Sequence, residues 1–235
     1  LADSKPITDF LRGALSVPVV DVRSPAEFAQ GHIPGAVNMP LFSNEERAEV
    51  GTIYKKSGNE LAVEKGLEFV GPKMAGFVRE AKKIAKDKKI LVHCWRGGMR
   101  SASMAWLFQT SGLETSTLKG GYKSFRNFVL ENFQRQLNLK VVGGETGSGK
   151  TEILHSIANQ GEQILDLEAI AHHRGSSYGA IGQLPQPTNE QFENNLFFEI
   201  QKLDLTKPIW VEDESRNIGK VFIPKPIWEQ KVYAP

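Results

Sequence analysis

The sequence predicts an α/β fold of two successive domains, each built on a parallel sheet. Three observations carry that expectation. Short apolar segments that read as strands, Val17–Val22 and Ile90–Val92 among them, alternate with longer helical stretches over the first 136 residues. One of these strands runs into Cys94, the single cysteine, at the place where parallel sheets carry their working loops. A further strand, Leu137–Gly143, runs directly into Gly144-Glu145-Thr146-Gly147-Ser148-Gly149-Lys150-Thr151, a complete eight-residue phosphate-binding pattern.

Size and composition bound the rest. A chain of 235 residues has room for one large or two small domains. Its hydrophobic fraction of 40% is ordinary for a globular protein, and no apolar run approaches the roughly 20 residues of a membrane span. The start, Leu1-Ala2-Asp3-Ser4-Lys5, lacks the basic segment and apolar core of a leader, and a first residue other than methionine points to trimming or disorder at the start. One cysteine excludes an internal disulfide and fits a reducing compartment, so a cytoplasmic location is expected. Charge is uneven. Residues 1–136 hold 20 Lys and Arg against 14 Asp and Glu, a net +6; residues 137–235 hold 9 against 13, a net −4. The run Lys82, Lys83, Lys86, Lys88 and Lys89 either attracts a polyanion such as tRNA or forms a solvated helix face.

The first-domain elements follow in order. Val17–Val22 is a short buried strand running to Asp21 and Arg23, and Arg23 is expected to pair with an acidic side chain of the fold. Residues 25–30 form a brief helix with Ser24 as cap and Pro25 in its first position. Gly31–Asn38 is a turn into another short strand, with His32 tying the turn down. Residues 45–56 and 60–85 are helical by pattern, with a break near Gly71-Pro72 and a cap at Ser43 or Asn44. Ile90–Val92 is a strand. Arg100–Gln109 is a helix whose apolar face is read as Ala102, Ala105, Trp106 and Leu107. Thr115–Leu118 is a strand leading to Gly120-Gly121.

The segment His93-Cys94-Trp95-Arg96-Gly97-Gly98-Met99-Arg100-Ser101 carries the chemistry of this half. A glycine-containing loop after a strand points backbone N–H groups at whatever the sulfur holds, and such donors favour the thiolate. Cys94, Arg96 and Arg100 are the candidate catalytic residues, with Arg100 able to grip an oxyanion in bidentate fashion. The alternative is a buried core cysteine. His93 is expected to close the strand and hydrogen-bond the loop backbone. Trp95 either packs on the substrate or shields the loop.

Asp21-Val22-Arg23, Glu27-Phe28, Gly31–Asn38, the Cys94 loop and Leu118-Lys119-Gly120-Gly121-Tyr122 together resemble a rhodanese domain, over about residues 5–135. The resemblance implies a rhodanese-like parallel-sheet domain, residues 1–136, whose loop cysteine carries a persulfide and passes the outer sulfur to an acceptor. The loop departs from the commonest rhodanese form: Cys94 to Arg100 makes seven residues rather than six. That spacing also resembles the phosphate loop of tyrosine and dual-specificity phosphatases, and it suits a tetrahedral anion such as phosphate or selenophosphate. A phosphatase needs an acid for its leaving alkoxide, and the sequence does not place Asp21 or Glu27 for that role. Residues 42–75 are a helical insertion that a minimal sulfurtransferase does not need; it either helps hold a large acceptor or packs on the second domain.

The second domain, residues 137–235, is read as a partial P-loop NTPase-like α/β domain. Thr151–Asn159 continues from the loop as a helix. Gly144, Thr146, Gly147, Ser148, Gly149, Lys150 and Thr151 are the candidate phosphate-binding residues: backbone amides cradle the phosphates, Lys150 reaches the outer one, and Thr151 ligates Mg²⁺ if a metal is used. Pro208–Ser215 is a strand ending in acids, where Glu212 or Asp213 holds the water shell of a Mg²⁺ ion, and Asp213 is taken as the binding residue. Gln163–Glu168 is a further strand. His172–Gly179 is a substrate loop or an ordinary surface loop, and its paired histidines lack metal-ligand spacing, so no metal ligand is assigned to them. Asn189–Leu203 is a helix. With about three strands and no helix expected at its end, this domain reads as incomplete, lacking a C-terminal portion.

Taken together, the Cys94 loop, Gly144–Thr151, His173-Arg174-Gly175-Ser176-Ser177 and Trp210-Val211-Glu212-Asp213-Glu214-Ser215-Arg216 resemble the bacterial tRNA 2-selenouridine synthase family from end to end, except for a missing C-terminal part. The resemblance implies two reactions on wobble 2-thiouridine in tRNAs for Lys, Glu and Gln. One transfers a geranyl group from geranyl diphosphate to the sulfur; the other replaces that sulfur with selenium from selenophosphate. From residues alone, rivals stay open: a rhodanese-type sulfurtransferase coupled to an ATP-binding domain, a non-catalytic tRNA- or nucleotide-binding module, and a phosphatase.

Overall fold

The computed structural model describes residues 2–145, 147–175 and 179–235. They form two compact units, divided at Asn127/Phe128. Each contains a parallel sheet with helices, the α/β class that the sequence predicts.

The first unit runs β1 (Asp3–Lys5), α1 (Ile7–Gly13), β2 (Val19–Asp21), α2 (Pro25–Gln30), β3 (Val37–Asn38), α3 (Asn44–Ser57), α4 (Asn59–Val70), a 3₁₀ turn (Gly71–Lys73), α5 (Met74–Ile84), β4 (Lys89–His93), α6 (Met99–Thr110), β5 (Glu114–Leu118) and α7 (Gly121–Asn132), a helix that spans the division. The strands pair in the order β1-β5-β4-β2-β3, all parallel. Chain direction across the sheet reverses between β2 and β4, and at such a switch point the loops beyond the carboxyl ends part to leave a crevice. Cys94 follows β4 directly.

Local chemistry explains the helix starts. Ser24 and Ser43 each build a capping box with the glutamate three residues on, satisfying two backbone donors that a helix start leaves orphaned. Asn44 Oδ1 accepts the Ala26 amide at 2.9 Å, tying α3 to α2. Side chains alternate across β4. Ile90 and Val92 enter a core with Val20, Met39, Phe77, Met104 and Phe108. His93 points to the other face, between Phe10 of α1 and Tyr122 of α7, at ring-centroid distances of 6.4 and 6.2 Å. The apolar face read for α6 is corrected: Ala102 and Trp106 are exposed, and the core positions are Ser101, Met104, Ala105 and Phe108.

The second unit runs β6 (Leu139–Val142), α8 (Lys150–Asn159), β7 (Gln163–Leu165), α9 (Leu167–Ala171), α10 (Asn189–Gln201), β8 (Ile209–Glu212), the antiparallel pair β9 (Asn217–Ile218) and β10 (Val221–Phe222), and α11 (Lys225–Val232). Its sheet is β6-β8-β7, parallel throughout. Two expectations are corrected. The strand read as Gln163–Glu168 stops at Leu165, because the Asp166 carboxylate accepts the Ala169 amide at 2.8 Å and starts α9. A helix, α11, does occur near residue 235. Pro224 and Pro226 lie at its start, where a missing N–H costs nothing, and its Gln230 side chain accepts the Leu137 amide at 2.7 Å. Among the described residues, no helix is long and apolar enough to cross a membrane.

Candidate active sites

In the first unit, backbone contacts seat the Cys94 loop on the β5–α7 turn. The Cys94 carbonyl accepts the Tyr122 amide at 2.8 Å and the Trp95 carbonyl accepts the Lys123 amide at 2.9 Å. Gly97 and Gly121 have positive φ, +66° and +61°, and lie face to face. A Cβ on Gly97 would sit 2.6 Å from the Leu118 carbonyl oxygen, and one on Gly121 would collide with the Cys94 carbonyl and the Gly97 amide. Only glycine satisfies both the conformation and the approach. Beneath the loop, Arg23 is buried and forked onto Asp21, with Nη2–Oδ2 at 2.6 Å. Arg23 also donates to the Gly31 carbonyl at 2.7 Å and lies 3.7 Å over the Tyr122 ring. His32 contacts the Phe28 carbonyl at 3.0 Å through Nδ1 and stacks on the Phe28 ring.

The thiol lies at the base of this loop. Cys94 is 3% exposed, and its Sγ is 3.2 Å from the hydroxyl of Ser101, a partner that sequence reading missed. Ser101 also donates to the Gly98 carbonyl at 3.1 Å, so one hydroxyl ties the sulfur to the loop. Arg96 is exposed and has no hydrogen-bond or ion-pair partner among the described residues. Arg100 is held by Glu27 at 2.7 Å. Burial acts to raise the Glu27 pKa, but the hydrogen bond and charge of Arg100 outweigh it, and the carboxyl titrates below its ordinary range. Arg100 is therefore a paired cation at the loop, and Arg96 an unpaired one. His93 is fully buried at the end of β4, where its ring interacts with the Cys94 backbone. Burial holds it toward the neutral form, even though Asp21 lies 3.7 Å away. Trp95 rests against Tyr122 at 5.8 Å.

In the second unit, the carboxyl ends of β6, β7 and β8 lead to one cluster. Gly147 and Gly149 have φ of +80° and +84°, and Gly149 starts α8 with no side-chain cap, leaving its first-turn amides available to an anion. Gly144 and Ser148 lie in the same loop; Thr146 is outside the described residues. Lys150 Nζ donates to the carbonyls of Gly144 and Glu145 at 3.0 and 3.1 Å. The Thr151 hydroxyl donates to Glu212 at 3.3 Å and to Glu168 at 3.4 Å. Asp213, the acid preferred from sequence, turns away: its carboxylate pairs with Lys231 at 2.8 Å, and Glu212 faces Thr151 instead. Alternation along β8 decides this, since adjacent residues face opposite sides.

Glu168, Glu212 and Glu214 offer carboxylate oxygens within 4.8 Å of one another. The sequence shows no ligand spacing here; the fold assembles the set. Gly175, at φ +61°, passes so close to Glu168 and Glu214 that no Cβ fits, and His173 is buried beside it. The intervening loop residues Ser176, Ser177 and Tyr178 lie outside the described residues. Glu212 is 3% exposed, and its Oε1 has no hydrogen-bond partner among the described residues. Hard oxygen donors around an orphaned buried carboxylate oxygen fit Mg²⁺, with Thr151, Glu168 and Glu212 as the residues that would hold it.

Burial first, then the charges of Glu212, Glu214 and Asp166, push the Glu168 carboxyl up to about 7. The folded state therefore holds a proton that the unfolded chain releases near the ordinary 4.5, and stability falls as pH rises through that window. A divalent cation competes with that proton. Magnesium affinity is expected to rise several-fold between about pH 6 and pH 8 and then level off. Calorimetric titration with Mg²⁺ across that range tests this, and a flat profile contradicts it.

Residues 9–128 match the rhodanese-like domain family. The chain belongs to it. Residues 137–235 match the tRNA 2-selenouridine synthase AAA domain. Relatives named tRNA 2-selenouridine synthase include one from Bdellovibrio bacteriovorus, 45% identical over 89% of this chain and 57% of its own length. Another, from Nitrosomonas europaea, is 42% identical over 88% of this chain and 55% of its own. The chain thus spans a little over half the length of these relatives. A crystal structure of the N-terminal domain of a Clostridium difficile 630 protein named for ATP/GTP binding is similar at 42% identity and a TM-score of 0.51, covering 55% of this chain and 99% of that one.

Proposed function

We propose that this rhodanese-like protein is a tRNA 2-selenouridine synthase, acting on wobble 2-thiouridine in tRNAs for Lys, Glu and Gln in the cytoplasm. The observation that carries the reading is the pairing, on one chain, of a thiol loop with a phosphate loop, each in a segment that matches the corresponding family. The 1–136 and 137–235 segments are its two domains.

In the first reaction the thiouridine sulfur attacks C1 of geranyl diphosphate, and diphosphate leaves. The amides of Gly144, Thr146, Gly147, Ser148 and Gly149, with the Lys150 ammonium, compensate the charge on the leaving group. Magnesium, when bound, supplies further charge compensation; Thr151, Glu168 and Glu212 would hold it, in the place first given to Asp213. ATP is the alternative ligand of the same loop. In the second reaction the selenium of selenophosphate adds to C2, the geranyl thiolate departs with a proton, and water then cleaves the P–Se bond so that phosphate leaves. Selenophosphate is received beside Cys94, with Arg96 and Arg100 on its oxyanion. The exposed Lys82, Lys83, Lys86 and Lys88 supply a basic face for tRNA.

The test is mass spectrometry of nucleosides from 2-thiouridine tRNA incubated with the protein, geranyl diphosphate, selenophosphate and Mg²⁺. S-geranyl and seleno-nucleosides are expected. Their absence from folded protein overturns the reading, and tRNA-independent sulfur transfer with ATP turnover would replace it.

A further inference from the structure

The helical insertion forms one wall of a cavity whose other wall is the Cys94 loop. This cavity, of about 820 Å³, opens between α3–α4 and the stretch from Cys94 through the start of α6. It falls within the size range of small-molecule sites. Two features give its chemistry. The α3–α4 wall is mostly apolar, and four large side chains that the fold leaves partly or largely exposed, Tyr54, Leu67, Trp95 and Met99, all line this one space. Apolar groups left outside a core at random do not converge in this way. The charged lining is of one sign: Arg47, Lys55, Arg96 and Arg100 line it, and no carboxylate does among the described residues. Glu27 offsets only part of that charge, since it serves both Arg100 at 2.7 Å and Arg47 at 3.7 Å.

An apolar wall with a cationic mouth matches a small amphiphilic anion. A bare oxyanion leaves the wall unused, and a neutral hydrocarbon leaves Arg96 unpaired. The thiol of Cys94 is part of the same lining, so a ligand seated here has its polar end within the loop's reach. We propose that this cavity seats the hydrocarbon chain of a prenyl-class ligand along Leu67 and Tyr54, with Arg96 and Arg100 at its polar mouth. The inference rests on the reading that the base is S-alkylated before selenium arrives. It places the chain in the rhodanese-like unit and gives the insertion a function. The chain has two possible sources, the free diphosphate ester or the S-prenyl base on tRNA, and both carry the same branched hydrocarbon.

Leu67→Glu and Tyr54→Glu test it. Both parent side chains are exposed, at 64% and 60%, so the fold should tolerate the change, while a carboxylate in the groove repels both chain and anion. Leu15→Glu, 85% exposed and outside the cavity, is the control. Two rates are followed: alkylation of 2-thiouridine tRNA against geranyl diphosphate concentration, and selenation of preformed S-geranyl tRNA. The expected result is a KM raised about tenfold or more in at least one assay with little change in kcat, and no change for the control. A rise in the first alone assigns the groove to the diphosphate ester and moves its diphosphate from the phosphate loop to Arg96 and Arg100; a rise in the second alone assigns it to the tRNA-borne chain. Unchanged kinetics in both assays, with active wild type, overturn the proposal, and an accompanying fall in melting temperature would assign the groove to packing. Wild type that forms no geranylated nucleoside, yet is folded, fails the underlying reading instead.

Discussion

Cys94→Ser is expected to abolish selenium incorporation while leaving geranylation of the same tRNA near the wild-type rate. The loss should be at least about 1000-fold, or about 4 kcal/mol in the barrier at about 1.4 kcal/mol per tenfold. A serine hydroxyl is close in size to the thiol, and Ser101 remains as a hydrogen-bond partner 3.2 Å from the replaced atom, so the loop should stay seated. What is lost is the sulfur centre beside which selenophosphate is received. Nucleoside mass spectrometry reads both products in one digest. Selenation at wild-type rate would remove Cys94 from the mechanism. Loss of both products with an unchanged melting temperature would mean the two reactions share the first unit.

Arg23→Met should destabilise the protein more than any exposed substitution. It leaves the Asp21 carboxylate at 0% exposure without its forked partner, and it removes the donor to the Gly31 carbonyl and the cation over Tyr122. Breaking a buried pair from one side costs about 3–5 kcal/mol. For the first unit this corresponds to a fall of roughly 10 °C or more in melting temperature. The double variant Asp21→Asn, Arg23→Met should recover part of the loss, because no unpaired charge is then buried. Thermal unfolding followed by circular dichroism decides it, and a change under about 1 kcal/mol would show that the pair is dispensable. Asp21 pairs in register with His93, so the same variant should also loosen the strand that delivers Cys94.

The parts of this molecule that were readable in sequence are those set by neighbours in the chain. Ser24-Pro25 and Ser43 announce their helices because a cap and its glutamate lie three residues apart. The phosphate loop is readable for the same reason. Reading failed where apolarity was taken for burial. Trp106 is 59% exposed, while Ser101, a polar residue, takes a core position because its hydroxyl serves both Cys94 and Gly98. Helix α11 escaped reading although Pro224 and Pro226 sit where a helix begins. The site partners were out of reach for a different reason. Glu27 and Arg100 are 73 residues apart, and Thr151 and Glu212 are 61 apart. Only the strand order brings them together, and a chain with no local signal for pairing cannot reveal it. Glu168 left one trace, an acid just beyond a short strand that ends near a phosphate loop.

The burial of Cys94 also acts as a size sieve. With 3% of the residue exposed at the base of the loop, bulky oxidants and disulfides meet loop backbone before they meet sulfur. A slim donor, two or three atoms across at its tip, can reach the sulfur. The same burial that shelters the thiol from adventitious chemistry thus selects its donor by width.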